Sequence, residues 1–214
     1  MTMSKPLVIA FSGGCFSGKT TTMEKLKETL EARGHRVVML SELVREHEIG
    51  SIDELRENPS KYLAFQDSII TSKISAEANL LSRAYSDTDI VLIDRAITDS
   101  LFYLLFYVDK KELIERDLNI YWHLLSRVKN HAEYAFRHIY DEVIEFAPIS
   151  KLCDDTVFRP QKIDILKYIE SIAISMLNKY AMYRVRTSNS LTQWDLNRMP
   201  VEVLIQDIIE RYEL

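Results

Sequence analysis

Cysteine, glycine and excess basic charge are all scarce in this chain. Its 214 residues hold two cysteines, five glycines and five prolines. Cys15 and Cys153 stand far apart, with no CxxC spacing and no Cys/His neighbours. That is too little for a disulfide framework or a zinc site. No apolar stretch approaches the roughly 20 residues of a membrane span. The opening "MTMSKPLVIAFSGG" passes directly from a short apolar run into glycines, without the cleavage site of a secretory leader. A reduced, cytoplasmic protein is therefore predicted. Lys and Arg total 27 against 32 Asp and Glu, a net charge of −5. Nucleic-acid affinity comes largely from neutralised phosphates, so a polymeric nucleic-acid partner is disfavoured. No linker, repeat or low-complexity run interrupts the chain, which predicts one domain over 1–214.

What is present alternates between two periods. "PLVIAFS" (6–12) is a continuous apolar run that suits a strand buried on both faces. Residues 19–33 turn helical, with Met23, Leu26 and Leu30 on one stripe and Gly34 as a stop. "HRVVMLSE" (35–42) reads as a second strand. A long helix follows over 61–84, with Leu63, Ile70, Ile74, Leu80 and Leu81 on its apolar face. "DIVLIDR" (89–95) is a third strand, and 99–138 is mostly helical with an interruption near "VDKKE". "YDEVIEFAP" (140–148) reads as a strand with two acids inside, and 162–180 as a helix through Leu166, Ile169, Ile172, Ala173, Met176 and Leu177. "YRVRTS" (183–188) is the candidate fifth strand, and Pro200 opens a last helix to Tyr212. This alternation predicts an α/β sandwich with a parallel sheet, whose ligands bind at the carboxyl ends of the strands.

Three of the five glycines fall within six residues just after the first strand, in "FSGGCFSGKTTTMEKL". Gly13, Gly14, Cys15, Phe16, Ser17, Gly18, Lys19 and Thr20 fit G-x-x-x-x-G-K-[ST], with Thr21 behind them. Successive backbone N–H groups can wrap a phosphate only where no side chain intervenes, and the next helix adds its positive end. Lys19 supplies charge to the terminal phosphates, and Thr20 a hydroxyl for magnesium. The segment predicts a P-loop that holds a nucleoside triphosphate.

Other strand ends carry further candidates. Asp94 can face the magnesium ion or take a proton from an attacking hydroxyl; its competing role is an N-cap for "DRAITDSLFY". Arg95 beside it suits a transferring phosphate. Glu42, Arg45 and Glu46 in "SELVREHE" offer an acceptor-side pair, or simply a solvated helix start. Gln66 beside Phe65 can pair with a base edge, though exposed glutamines are common. "CDDTVFRPQK" (153–162) places Arg159 and Lys162 in a candidate lid, with Arg116, Arg127, Lys129 and Arg137 as a rival source of charge. The five histidines have no ligand-like spacing, and the aromatics of "SLFYLLFY" read as core.

Taken together, the chain resembles the P-loop nucleoside and nucleotide kinase superfamily over most of its length. "IDRAITDSLFY" is similar to the Asp-Arg segment of thymidylate kinases, although Leu104 stands where those enzymes usually carry glutamine. More positions match the nicotinamide-riboside-kinase-like ATPase domain of NadR-type proteins. These are Glu42, Arg45 and Glu46, then Gln66, then Asp99 and Tyr103 after Asp94-Arg95, and finally Tyr140, Asp141, Asp155 and Arg159. The resemblance implies a three-layer α/β/α P-loop NTPase fold with a five-stranded parallel sheet, a lid within about 149–162 and a helical insertion at 99–138.

The expected activity is a Mg²⁺-dependent transfer of the γ-phosphoryl of ATP to a small nucleoside-like or nucleoside-monophosphate acceptor. Lys19, Asp94, Arg95 and Arg159 are the catalytic candidates, and Thr20 and Asp94 the metal ligands. Glu42, Arg45, Gln66 and Arg95 would bind the acceptor. Homodimerisation through the apolar 99–108 helix is an expectation by analogy. Two other readings use the same loop: an ATP-hydrolysing switch, and a kinase for modified bases or ends in DNA.

Overall fold

The computed structural model describes residues 5–14, 17–41, 58–80, 87–107, 113–147, 164–185, 190–196 and 198–214 (backbone alone at 106, 107, 164–169, 185 and 190). Its strands are β1 (Leu7–Gly13), β2 (Val37–Leu40), β3 (Ile90–Asp94), β4 (Glu142–Phe146) and β5 (Ser190–Trp194). The helices are α1 (Lys19–Ala32), α2 (Pro59–Asn79), α3 (Ile97–Tyr107), α4 (Glu115–His138), α5 (Asp164–Val185) and α6 (Val201–Tyr212). All described pairings are parallel, in the order β2-β3-β1-β4-β5. The chain steps outward to β2, returns to β3, then crosses β1 to β4, so strand order reverses at β1. In open sheets of this kind the ligand crevice lies at such a reversal, at the carboxyl ends.

The strand sequences account for the layers. Along β1 and β3 every second residue turns to the opposite face, and both faces are apolar. Val8, Ala10, Val91, Ile93 and Val143 pack in one cluster with residues of α2, α3 and α4 and with Ala181 of α5. Ile9, Phe11, Leu92, Ile144 and Phe146 pack in the other with Met23, Leu26 and Leu30 of α1 and with Leu204, Ile205 and Ile208 of α6. This is a three-layer α/β/α arrangement with β1 at its centre. Gly34 stops α1 at φ +94°, a conformation that suits glycine.

Two acids inside β4 needed an explanation, because both are buried. Glu142 pairs with Arg211 of α6 and accepts from the Thr192 hydroxyl. Glu145, on the opposite face, accepts from Ser175 at 2.9 Å and from Gln193 at 3.0 Å. Paired in this way, each acid avoids the penalty of an isolated buried charge.

Two sequence expectations are corrected. The fifth strand lies at Ser190–Trp194 rather than 183–188, because 183–185 continue α5, where Arg184 pairs with Glu133 of α4 at 3.2 Å. Of the predicted apolar stripe of α5, Leu177 packs against the core and Ala173 is half-buried, but two members face outward. Ile172 and Met176 are 43% and 66% exposed, while Glu170, Ile174, Asn178 and Ala181 are buried. Polar partners decide that orientation, as the site geometry shows.

Candidate phosphate-binding site

The loop after β1 is shaped by what surrounds it. Gly13 has φ +137°, and a Cβ there would lie 2.7 Å from the Phe146 carbonyl of β4. A Cβ on Gly14 would lie 2.9 Å from Ser171 Oγ and 3.3 Å from Glu170 Cδ, both on α5. Gly18, at φ +83°, turns the chain into α1. Lys19 is buried at the start of α1, and its Nζ donates to the carbonyls of Gly13 (2.8 Å) and Gly14 (2.7 Å) and to Ser17 Oγ (3.0 Å). The ammonium thus already lies along the loop. Thr21 is exposed two positions further on, and Cys15 and Phe16 lie outside the described residues.

Strand β3 delivers Asp94 to the same place, since Phe11 and Asp94 are register partners. Thr20 Oγ1 donates to Asp94 Oδ2 at 2.9 Å. Asp94 Oδ1 is buried and has no hydrogen-bond partner among the described residues. The carboxylate therefore bonds the loop helix rather than capping α3 with that oxygen. A threonine hydroxyl beside a half-unsatisfied carboxylate is a hard oxygen set that suits Mg²⁺. No group of three or more His, Cys, Asp or Glu suited to a metal occurs among the described residues.

Arg95 follows with φ +71°, rare for a non-glycine residue. Its N–H donates to the Phe11 carbonyl at 2.9 Å, which closes the β1–β3 ladder. Its guanidinium reaches the Gly13 carbonyl (3.4 Å) and Asp99 Oδ2 (3.5 Å), and lies over the Tyr103 ring 5.4 Å from the centroid. Asp99 also accepts from the Ser12 hydroxyl and from the Gly13 N–H at 3.4 Å. Burial pushes the Asp99 carboxyl up to about 6, although Arg95, Lys19, Ser12 and Lys73 all pull it down.

Two residues of α5 that sequence reasoning missed complete this framework. Asn178 Nδ2 donates to Ser12 Oγ at 2.9 Å, and its Oδ1 accepts from the Thr98 hydroxyl. Glu170 Oε1 accepts from the Tyr103 hydroxyl at 2.8 Å. Their spacing of eight residues was the available signal, since it places both on one helix face. A second buried cluster also escaped notice. Glu77 meets Lys73 (3.3 Å), His131 (2.7 Å) and the Tyr140 hydroxyl (2.6 Å), and that hydroxyl accepts from the Ile97 N–H at the start of α3. His131 thus sits between α4 and α2, paired with Glu77.

The remaining candidates are scattered. Gln66 is buried on α2, not exposed. Tyr140 and Asp141 stand at the amino edge of β4, where Asp141 accepts from the Val8 N–H at 2.8 Å. Of the rival basic residues, Arg127 pairs with Asp67 at 2.6 Å, and Lys129 and Arg137 are exposed towards the end of α4, which leads to the amino edge of β4. Glu42, Arg45, Glu46, Asp155, Arg159 and Lys162, and with them the expected lid, lie outside the described residues.

A cavity of about 510 Å³ opens beside Gly13 at the ends of β4 and β5. Phe146, Ile172, Met176 and Met199 give it apolar walls, with Glu145 and Trp194 among the others. Among the described residues no helix is long and apolar enough to cross a membrane.

Comparisons with known proteins bear on the family and the fold. The model of a family described as AAA domain matches residues 8–191. No protein of curated function matches the sequence. Among solved structures, the NadR protein in complex with NR superposes with a TM-score of 0.64 at 19% identity, covering 96% of this chain and 51% of that one. NadR in complex with NAD and AMP-PNP gives 0.61 at 16%, covering 98% and 50%. Deoxyadenosine kinase from M. mycoides, with dCMP and dCDP bound, gives 0.59 at 13%, covering 97% and 99%. The chain thus spans about half the length of the NadR chains and nearly all of the deoxyadenosine kinase. It belongs to the AAA domain family and has the fold of the P-loop nucleoside kinases.

Proposed function

We propose that this chain is a Mg²⁺-dependent phosphotransferase that moves the γ-phosphoryl of ATP to a small nucleoside-like or nucleoside-monophosphate acceptor. The observation that carries the reading is the convergence of Lys19, Thr20, Asp94 and Arg95 on one loop at the reversal of strand order. In this reading Lys19 moves from the Gly13 and Gly14 carbonyls to the β- and γ-phosphates, with the loop amides around them. Thr20 and the unsatisfied oxygen of Asp94 would hold Mg²⁺, which would supply neutralisation of phosphate charge. Asp94 alternatively accepts the acceptor's proton, and Arg95 and Arg159 neutralise the transferring group. Positioning and electrostatics then do most of the work. The donor nucleoside occupies the cavity beside Gly13. Glu42, Arg45 and Gln66 hold the acceptor on the β2–β3 side. Bound NR in one NadR structure and dCMP in the kinase structure support acceptors of this size. The domain extends over 1–214, with its lid at about 149–162.

The test is a product assay with purified protein and Mg·ATP labelled on the γ-phosphate. The acceptors are a panel of nucleosides, nucleoside monophosphates and nicotinamide riboside. Labelled product from a panel member supports the kinase and names its acceptor class. Free phosphate alone, unchanged across the panel, overturns it in favour of an ATP-hydrolysing switch. Arg45→Ala should then raise the acceptor KM far more than the KM for ATP; equal effects would remove Arg45 from the acceptor side.

A further inference from the structure

Helix α5 buries two polar residues among its core-facing apolar ones while leaving large apolar residues exposed. Ile172, Met176, Tyr180 and Tyr183 form one stripe and are 43%, 66%, 45% and 75% exposed. The stripe that faces inward carries Glu170, Ile174, Asn178 and Ala181, all at most 4% exposed. Burying a carboxylate and an amide while leaving an apolar stripe in water is unfavourable unless specific partners compensate. Those partners all belong to the phosphate site. Glu170 accepts from Tyr103, whose ring carries the Arg95 guanidinium. Asn178 donates to Ser12, the residue before the loop glycines, and accepts from Thr98 on α3. Ser12 in turn donates to Asp99, the carboxylate that pairs with Arg95 and takes the Gly13 N–H. The helix also lies against the loop, where a Cβ at position 14 would come within 2.9 Å of Ser171 Oγ and 3.3 Å of Glu170 Cδ.

From this geometry we infer that Glu170 and Asn178 are positioning residues of the phosphate site, with separate duties. Glu170 fixes the Arg95 guanidinium through Tyr103. Asn178 fixes the entry of the phosphate loop through Ser12. Neither residue touches the reacting groups. The inference deepens the kinase reading and rests on it for its activity readout, but its second readout needs only a phosphate loop.

Four variants separate the two duties: Glu170→Ala, Glu170→Gln, Tyr103→Phe and Asn178→Leu. Glu170→Ala should lower kcat about tenfold with the KM for ATP within about twofold, the size of one lost hydrogen bond to a charged group. Glu170→Gln keeps an acceptor for the tyrosine and should restore kcat to within about threefold of the parent. Tyr103→Phe should match Glu170→Ala, and the double variant should be no worse than either single one. Asn178→Leu should instead weaken binding of inorganic tripolyphosphate about three- to tenfold by calorimetry, and Glu170→Ala should leave that binding unchanged. Tyr103→Phe removes a single oxygen and serves where the α5 variants do not fold. Folded variants that melt lower, yet keep both kcat and tripolyphosphate affinity, overturn the inference and reduce α5 to packing. Additive losses in the double variant overturn the Tyr103 route. A parent protein inert on every acceptor sinks the kinase reading alone. In that case tripolyphosphate affinity in Asn178→Leu decides the Asn178 half, and unchanged affinity overturns it.

Discussion

Asp99 shows what it costs to bury a single carboxylate beside the loop. Burial raises its carboxyl from 3.8 to about 6. At about 1.4 kcal/mol per unit this corresponds to roughly 3 kcal/mol, an upper figure for a group so enclosed. The folded state binds the extra proton between these two values. Stability from this group therefore falls as pH rises from about 4 to about 6, and the full cost remains above that. Asp99→Asn should accordingly melt higher than the parent at pH 8, with the gap closing towards pH 4. Scanning calorimetry at several pH values checks this. A variant less stable at pH 8 would mean that the bonds to Ser12 and Gly13 outweigh desolvation. Lys19→Ala is the companion prediction at the loop. It should abolish nearly all transfer and leave the circular dichroism spectrum unchanged; full activity would dismiss the phosphate-loop assignment.

At the scale of elements, the cluster around Glu77 joins α2, α4 and the entry to β4 to the first turn of α3. Burial pushes the Glu77 carboxyl up, but Lys73, His131 and Tyr140 together hold it below its ordinary range. Burial, with Glu77 beside it, pushes the Tyr140 hydroxyl well above its own. The Ile97 N–H depends on that hydroxyl, and Ile97 opens the helix that carries Asp99 and Tyr103. Tyr140→Phe should therefore cost about 1–3 kcal/mol, the range for a buried partner left unsatisfied. Urea denaturation measures it, and a change under about 0.5 kcal/mol would reassign the cluster to ordinary packing. The same cluster shows where sequence reading stops. Met23, Leu26 and Leu30 announced the buried face of α1 because apolar spacing and burial coincide there. On α5 they diverge, because Glu170 and Asn178 face inward for partners about 65 to 165 residues away in the chain. Periodicity cannot register a hydrogen bond to Ser12. The fifth strand was misplaced for a related reason: "YRVRTS" has the composition of a strand, but Arg184 meets Glu133 and its segment stays helical. The meeting of the loop with Asp94 and Arg95 was legible because each stands at the end of an unmistakable apolar strand.

For the whole molecule, the parallel sheet, its two covering layers and the reversal of order at β1 leave one place where loop, carboxylate and arginine meet. That place joins β1, β3, α1, α3 and α5, so a ligand seated there ties together both faces of the sheet. A ligand that binds only the folded state stabilises it by about 2.7 kcal/mol at a hundred times its Kd. For a chain of this size, that corresponds to a rise in Tm of roughly 5–10 °C. Mg·AMP-PNP at that concentration should produce such a rise in the parent protein. The rise should shrink to less than half when EDTA replaces Mg²⁺ if, as proposed, Thr20 and Asp94 hold the ion. Lys19→Ala should show almost none. Differential scanning fluorimetry across these three conditions separates the ways the reading can fail. An equal rise with and without Mg²⁺ would remove the metal role from Thr20 and Asp94. An undiminished rise in Lys19→Ala would place the nucleotide away from the loop, and no rise in the parent would deny the fold its nucleotide altogether.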